Sequence, residues 1–316
     1  MTKVIVTGGA GFIGSHIVEE LLDHHFEVVV IDNFSSGRRE NISHLPVETI
    51  DYDITCPKVV DMIVSINPDY IIHQAAQVSV AESVKDPVKD QQVNVKGSLH
   101  IIEAAIQSNV TKLVFASSAA VYGNPTRLPI SLEHPTNPES PYGLTKMMVE
   151  HYLQLSYKLY QLPYSILRYS NVFGPRQDAH GEGGVIAIFT DCLQKGRSPK
   201  IYGDGTQTRD FIFVKDVARA NVKAMLASEN LCLNISTNQS LSINELFKAM
   251  KEVAEVDLVS HYVEQRQGDI KHSLLENKAT RALLNWEPTF ELLDGLAATI
   301  EYSRRQSEKR EEAVIS

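Results

Sequence analysis

The chain has 316 residues, 43% hydrophobic and 22% charged, a balance close to the globular average and far from that of disordered or collagen-like chains. Thirty Lys and Arg against 39 Asp and Glu leave a formal charge of −9, so no global basic field draws in nucleic acid or an anionic membrane. Three widely spaced cysteines, Cys56, Cys192 and Cys232, have no metal-ligand spacing and fit a reducing compartment.

The first residues run into a glycine cluster without an apolar stretch of signal-peptide or membrane length, which predicts a cytoplasmic protein. A short β-branched strand at 4–6 leads into Gly8-Gly9-Ala10-Gly11-Phe12-Ile13-Gly14 and a helical pattern over 15–24. Further apolar strands are predicted at 28–31, 70–73, 113–116 and 165–168, with helices near 57–66, 91–108 and 141–160 between them. Strands that are apolar throughout are buried on both faces, and their alternation with helices predicts an α/β fold: a doubly wound parallel (Rossmann) sheet over the first ~170 residues. Beyond Asn171 glycines and prolines break the rhythm, which predicts a second, smaller mixed α/β domain. The expected division assigns 1–170, with roughly 210–235, to the first domain, and 171–209 and 236–316 to the second.

Gly8, Gly11 and Gly14 stand where a tight turn, close backbone approach to a pyrophosphate and close helix–strand packing coincide. Together with Phe12 and Ile13, whose amides open the helix, they form the candidate phosphate cradle. The second strand ends in Asp32, a carboxylate placed to accept ribose hydroxyls and to repel a 2′-phosphate. The expected cofactor is therefore NAD and not NADP.

Ser140-Pro141 reads as a helix cap followed by proline at the first helical position, which puts Tyr142 and Lys146 one turn apart on one face. Ser118 lies at the carboxyl end of the strand before it, the edge where such sheets bind ligands. A phenol with a pKa near about 10 is a weak base at neutral pH; lowering it by about three units requires roughly 4 kcal/mol of preferential phenolate stabilisation. A nearby ammonium supplies part of this, so Tyr142 is the candidate base, Lys146 its activator, and Ser118 the group that orients the shared substrate oxygen.

The Gly-x-x-Gly-x-x-Gly spacing resembles the short-chain dehydrogenase/reductase superfamily, and the length resembles its extended branch. The segments 115–123 (Phe-Ala-Ser-Ser-Ala-Ala-Val-Tyr-Gly), 168–176 (Arg-Tyr-Ser-Asn-Val-Phe-Gly-Pro-Arg), 202–211 (Tyr-Gly-Asp-Gly-Thr-Gln-Thr-Arg-Asp-Phe) and 266–269 (Arg-Gln-Gly-Asp), with the Tyr142/Lys146 pair, resemble the nucleotide-sugar branch, most closely the UDP-glucose (UDP-galactose) 4-epimerases. The resemblance implies reversible oxidation at C4 of a UDP-sugar through a 4-keto intermediate. It implies that Asp53 and Ile54 contact the adenine, that Ala75, Ala76 and Asn94 complete the cofactor site with Tyr142 and Lys146, and that Asn171, Arg209, Arg266 and Asp269 bind the nucleotide diphosphate and uridine ribose. Related dehydratases and decarboxylases carry an acidic residue where this chain has Ala119 and Ala120, which disfavours elimination. The position that lines the C2 side of the hexose in the family falls on Ser273, small enough to admit an N-acetyl group, so acetylated UDP-hexosamines are expected substrates beside UDP-glucose and UDP-galactose. Ser170, often Phe in relatives, leaves the pocket contour open. A UDP-uronic acid 4-epimerase and a non-catalytic NAD sensor of the same fold are the alternatives. The resemblance also implies a homodimer whose helices near 95–108 and 141–160 pair into a four-helix bundle through apolar residues including Ile101, Ile102, Val149 and Leu153.

Overall fold

The computed structural model describes residues 1–179, 184–265 and 270–315, with side chains as far as residue 308. The first half comprises β1 (Lys3–Thr7), α1 (Phe12–Asp23), β2 (Glu27–Asp32), β3 (Glu48–Asp51), α2 (Val59–Ile66), β4 (Tyr70–His73), α3 (Val80–Lys85), α4 (Pro87–Gln91), α5 (Ser98–Gln107), β5 (Lys112–Ser118), α6 (Pro141–Tyr160) and β6 (Tyr164–Tyr169). There follow β7 (Asn171–Phe173), α7 (Val185–Gln194), β8 (Lys200–Tyr202), β9 (Thr208–Arg209), β10 (Phe211–Phe213), α8 (Val214–Leu226), β11 (Leu231–Ile235), β12 (Leu241–Ser242), α9 (Ile243–Ala254), β13 (His261–Val263), α10 (Lys278–Leu284) and α11 (Leu292–Ile315).

Seven strands form one sheet in the order β11-β6-β5-β4-β1-β2-β3, every pair parallel, as the apolar strand pattern predicts. Successive side chains of β1 serve opposite faces. Val4 and Val6 join a core with Ile17 and Leu21 of α1 and Val217 of α8, whereas Ile5 joins Ile63 of α2, Ile101 of α5 and Leu153 of α6. The direction of winding reverses between β1 and β4, and the crevice outside their carboxyl ends is where this architecture receives ligands.

A third cluster, with Phe173, Phe189, Phe213, Leu246, Phe247, Met250 and Leu296, gathers the second half of the chain around α7, α9 and α11. The two-stranded pairs β10-β7, β12-β9 and β13-β8 lie outside the main sheet.

Three local expectations need correction. Helix α1 starts at Phe12, inside the glycine motif, rather than at 15. The helix expected from 91 starts earlier, at Pro87 under an Asp86 cap, and passes through a π-helical turn over Gln92–Gly97 before α5; α3, capped by Ser79, was not anticipated. Ile101, Ile102, Val149 and Leu153 are not available to a partner: at 0%, 4%, 1% and 0% exposure they fill the core beneath the sheet. The apolar side chains that α6 leaves exposed are others, Leu144 and Leu155 among them.

Candidate functional site

The glycine turn joins β1 to α1, and its three glycines answer to different neighbours. Gly8 has φ +69°, and a Cβ there would lie 2.7 Å from the amide nitrogen of Ala75. One on Gly14 would lie 2.9 Å from the Gly8 carbonyl carbon and from Gly9 Cα, and closer still to the Gly8 oxygen. The chain itself therefore requires glycine at both positions. Gly11 differs, because its Cβ would meet a single atom within 4 Å, the Gly8 oxygen at 3.2 Å. The bare side of Gly11 faces room at the N-terminus of α1, where no side chain caps the first turn and no acidic residue occupies it. Uncapped amides and a bare approach fit an anion such as a pyrophosphate.

Asp32, 7% exposed, accepts hydrogen bonds from the amides of Ala10 (2.9 Å) and Phe34 (2.8 Å), one on each oxygen. Burial raises its pKa against the pull of these amides. Each carboxylate oxygen keeps acceptor capacity for a ribose hydroxyl. Asp53 is exposed and accepts from Asn33 Nδ2 and the Thr55 amide, while the adjoining Ile54 is buried against Gly97. Ala75 and Ala76 are half-buried on the segment that leaves β4. Asn94, 2% exposed in the π-helical turn, accepts from the Gln77 amide (2.8 Å) and donates to the Gln77 carbonyl (2.9 Å), so it fixes that segment.

Ser140 caps α6 through the Gly143 amide at 3.1 Å, and Pro141 takes the first helical position, as its sequence predicts. Tyr142 is half-buried, and Lys146, one turn on, is 4% exposed. The ammonium donates to the Ala116 carbonyl at 2.8 Å and stands 5.8 Å from the Tyr142 ring centroid and 4.9 Å from that of Phe115. Burial pushes the Lys146 pKa down to about 8, against the opposing charges of Asp90 and Glu150. Ser118, half-buried at the end of β5, accepts from the Ala120 amide at 3.2 Å and stands in register with Tyr169 of β6. The structure thus brings the Tyr/Lys pair against the carboxyl edge of β5.

Two buried networks behind the pair were not singled out in the sequence. Glu150 accepts from Arg168 Nε (2.9 Å), Arg168 Nη2 (2.6 Å) and Ser117 Oγ (2.5 Å), and Arg168 Nη1 donates to Tyr122, whose hydroxyl donates to Asn234 of β11. The signal available was its position four residues after Lys146 on the same helix face. Asp90 accepts from Gln77, Asn94 and Thr145, of which Asn94 is spaced i,i+4 from it.

Farther out, β6 leads directly to Asn171, which is exposed and whose amide donates to the Asp210 carbonyl at 2.9 Å. Arg209 is half-buried, and its Nη1 donates to the carbonyls of Thr208 (2.8 Å) and Lys271 (3.4 Å). The Ser273 amide donates to that same Thr208 carbonyl at 3.1 Å, which sets half-buried Ser273 beside Arg209. Ser170 reaches Asp210, a carboxylate that burial raises to about 6 against bonds from Thr237 and Asn238. Arg266 and Asp269 lie outside the described residues. Among the described residues no helix is long and apolar enough to cross a membrane.

Residues 4–236 match the NAD dependent epimerase/dehydratase family. The UDP-glucose 4-epimerase of Mycolicibacterium smegmatis is 40% identical over 312 residues, covering 97% of this chain and 100% of its own. A Thermotoga maritima UDP-glucose 4-epimerase, solved with UDP-glucose, superposes with a TM-score of 0.94 at 40% identity over 97% of this chain and 100% of its own. A UDP-N-acetylglucosamine 4-epimerase of Methanobrevibacter ruminantium M1, solved with UDP-N-acetylmuramic acid, gives 0.92 at 38% identity over 96% and 99%.

Proposed function

This chain belongs to the NAD dependent epimerase/dehydratase family and is an NAD-dependent epimerase, and from that premise we propose that it interconverts UDP-glucose and UDP-galactose at C4, together with the corresponding UDP-N-acetylhexosamines. The observation that carries the reading is the half-buried Tyr142 with a buried lysine one turn away, set at the strand end that presents Ser118. In this reading residues 1–170 with roughly 210–235 hold the cofactor, and 171–209 with 236–316 hold the UDP-sugar.

Gly8, Gly11, Phe12, Ile13 and Gly14 would take the pyrophosphate, Asp32 the adenosine ribose, Asp53 and Ile54 the adenine side, and Ala75 and Ala76 the inner face, with Asn94 bracing them from behind. Bound NAD supplies the acceptor, and later the donor, of the C4 hydride. The chain's own work is proton transfer and restraint. Tyr142 as phenolate takes the proton of the 4-hydroxyl and afterwards returns it; the Lys146 ammonium favours the phenolate, and Ser118 hydrogen-bonds the same oxygen. Asn171 and Arg209 would bind the diphosphate, the arginine supplying the local positive charge that an acidic protein needs for a dianion. Arg266 and Asp269 complete that set by resemblance alone.

A sensor without chemistry need not keep Ser118, Tyr142 and Lys146 together, and their juxtaposition at the end of β5 disfavours that alternative. The exposed apolar side chains of α6 support a second copy of the chain as partner. The test is incubation of purified protein with UDP-hexoses, UDP-N-acetylhexosamines and UDP-uronic acids, read by NMR for the C4 epimer. Wild type should form the epimers of the first two classes and Tyr142→Phe none, with NAD retained; an active Tyr142→Phe protein or a product only from uronic acids refutes the reading.

A further inference from the structure

Asp90 is a buried carboxylate that the mechanism leaves unexplained. It is fully buried, and its three donors are uncharged: Gln77 Nε2 at 2.7 Å and Asn94 Nδ2 at 3.1 Å on one oxygen, Thr145 Oγ1 at 2.8 Å on the other. No ion pair of Asp90 occurs among the described residues. A carboxylate in that position is costly unless a positive charge compensates it, and at low dielectric the compensating charge can act across several ångströms.

The titratable groups on α6 and on the elements packed against it narrow the choice. Glu150, on the same helix, is engaged with Arg168 of β6, so its charge is already matched. His73 of β4 is held neutral, its pKa pushed to about 3 by burial and by Lys146 itself, and its nitrogens are met by Thr7 and Ser98. Glu82 and Lys85 of α3, Lys89 of α4 and Glu103 of α5 are exposed. Asp90 alone among these is a buried charge without a matched partner, and Thr145, which donates to it, precedes Lys146 in the chain.

We propose that Asp90 is a positioning residue of the reaction: its carboxylate is the remote counter-charge that keeps Lys146 an ammonium beside Tyr142, and its hydrogen bonds hold Asn94 and Thr145 as the frame around that charge. This rests on the assignment of Tyr142 and Lys146 made above. The depressed Lys146 pKa of about 8 fits, because burial drives the lysine toward its neutral form and Asp90 opposes it.

Asp90→Asn separates charge from shape. The asparagine oxygen can still accept from Gln77 and Asn94, and its NH2 can donate to Thr145 Oγ1, whose proton then turns to the Tyr142 carbonyl already 3.0 Å away. The experiment measures kcat and KM of the NAD-loaded enzyme with UDP-galactose from about pH 6 to about pH 10, for wild type, Asp90→Asn and Asp90→Glu. Asp90→Asn should keep its NAD and KM, while the alkaline fall in kcat moves down by about one pH unit, an about tenfold loss at the alkaline end. Asp90→Glu should keep the wild-type alkaline limb whatever its overall rate. A uniform loss at all pH values in Asp90→Asn, or a limb displaced in Asp90→Glu, overturns the proposal. If Asp90→Asn does not fold, the limb of Asp90→Glu decides alone. An active Tyr142→Phe would instead remove the reading beneath it.

Discussion

Alanine at Gly11 and alanine at Gly14 should fail in opposite ways, although both glycines belong to one motif. At Gly14 the added carbon would press on backbone atoms of Gly8 and Gly9, well inside the 3.4–4 Å of ordinary contact, so β1 and α1 would have to part. Overpacking of this kind costs about 1–3 kcal/mol or more, beyond the ~1 kcal/mol that alanine gains over glycine inside a helix. At Gly11 the backbone (φ −75°, ψ −178°) suits alanine, and the one close atom, 3.2 Å away, needs to yield by only a few tenths of an ångström. Restricting the unfolded chain returns about 0.4–1 kcal/mol, so the fold should be nearly indifferent. In the proposed site the methyl group would stand where the pyrophosphate comes close, and NAD affinity should fall about tenfold or more, equivalent to ~1.4 kcal/mol. Thermal unfolding of NAD-stripped protein, at about 2–4 °C per kcal/mol for a chain of this order, reads the first quantity, and NAD titration the second. A Gly11→Ala protein that binds NAD like wild type, or a Gly14→Ala protein as stable as wild type, would refute the division of roles.

Four further outcomes are expected. Glu150→Ala strips a buried guanidinium of two hydrogen bonds and Ser117 of one, and should destabilise the fold by about 3–5 kcal/mol in urea; a loss below about 1 kcal/mol contradicts the burial argument. Burial raises the Glu19 carboxyl, but His16, 3.4 Å away, and the hydrogen bond from Arg176 outweigh it and hold the pKa at about 2, below the ordinary 4.5. Its contribution is therefore complete above pH 4.5 and is lost as pH falls toward 2, so the Tm gap between wild type and Glu19→Gln should close over that window; a gap persisting to pH 2 contradicts the assignment. NADP should bind far more weakly than NAD in parallel titrations because, in the proposed site, Asp32 would face the 2′ position, and equal affinities would count against that placement. Ser273→Tyr should suppress epimerisation of UDP-N-acetylglucosamine much more than that of UDP-glucose; parallel losses would move the size restriction elsewhere.

The sheet, the glycine turn and the capped start of α6 are legible in the sequence because each is local: apolar runs, glycine spacing, and Ser140-Pro141 act over a turn or less. What joins elements is not. Thr145 and Asp90 are 55 positions apart, and Arg168 stands on the strand after Glu150's helix; only folding shows that each buried carboxylate has its donors. Ile101, Ile102, Val149 and Leu153 are apolar at helical spacing, and the pattern identifies a buried face without saying whether the cover is the sheet or another molecule. The π-helical turn that turns Asn94 inward has no composition of its own, and it sits in what reads as one uninterrupted helix.

Strand β11 has a consequence for how the chain is made. Among the described residues it is the only partner on the outer side of β6, pairing Leu231 with Ser165 through Ile235 with Tyr169, yet more than sixty positions of chain separate the two, including β7 to β10 and α7 and α8. While a ribosome is still synthesising that stretch, β6 presents a bare parallel edge of Ser-Ile-Leu-Arg-Tyr, the kind of edge that recruits strands from other nascent chains. A fragment cut near residue 170 would hold the whole glycine turn and the Tyr/Lys pair and still be prone to aggregate, because the last strand and the Asn234 side chain that reaches the Ile130 and Glu276 carbonyls arrive only with the later sequence. The seven-stranded sheet is thus contiguous in space but not in synthesis, and trimming it to its apparent minimum would leave it unfinished.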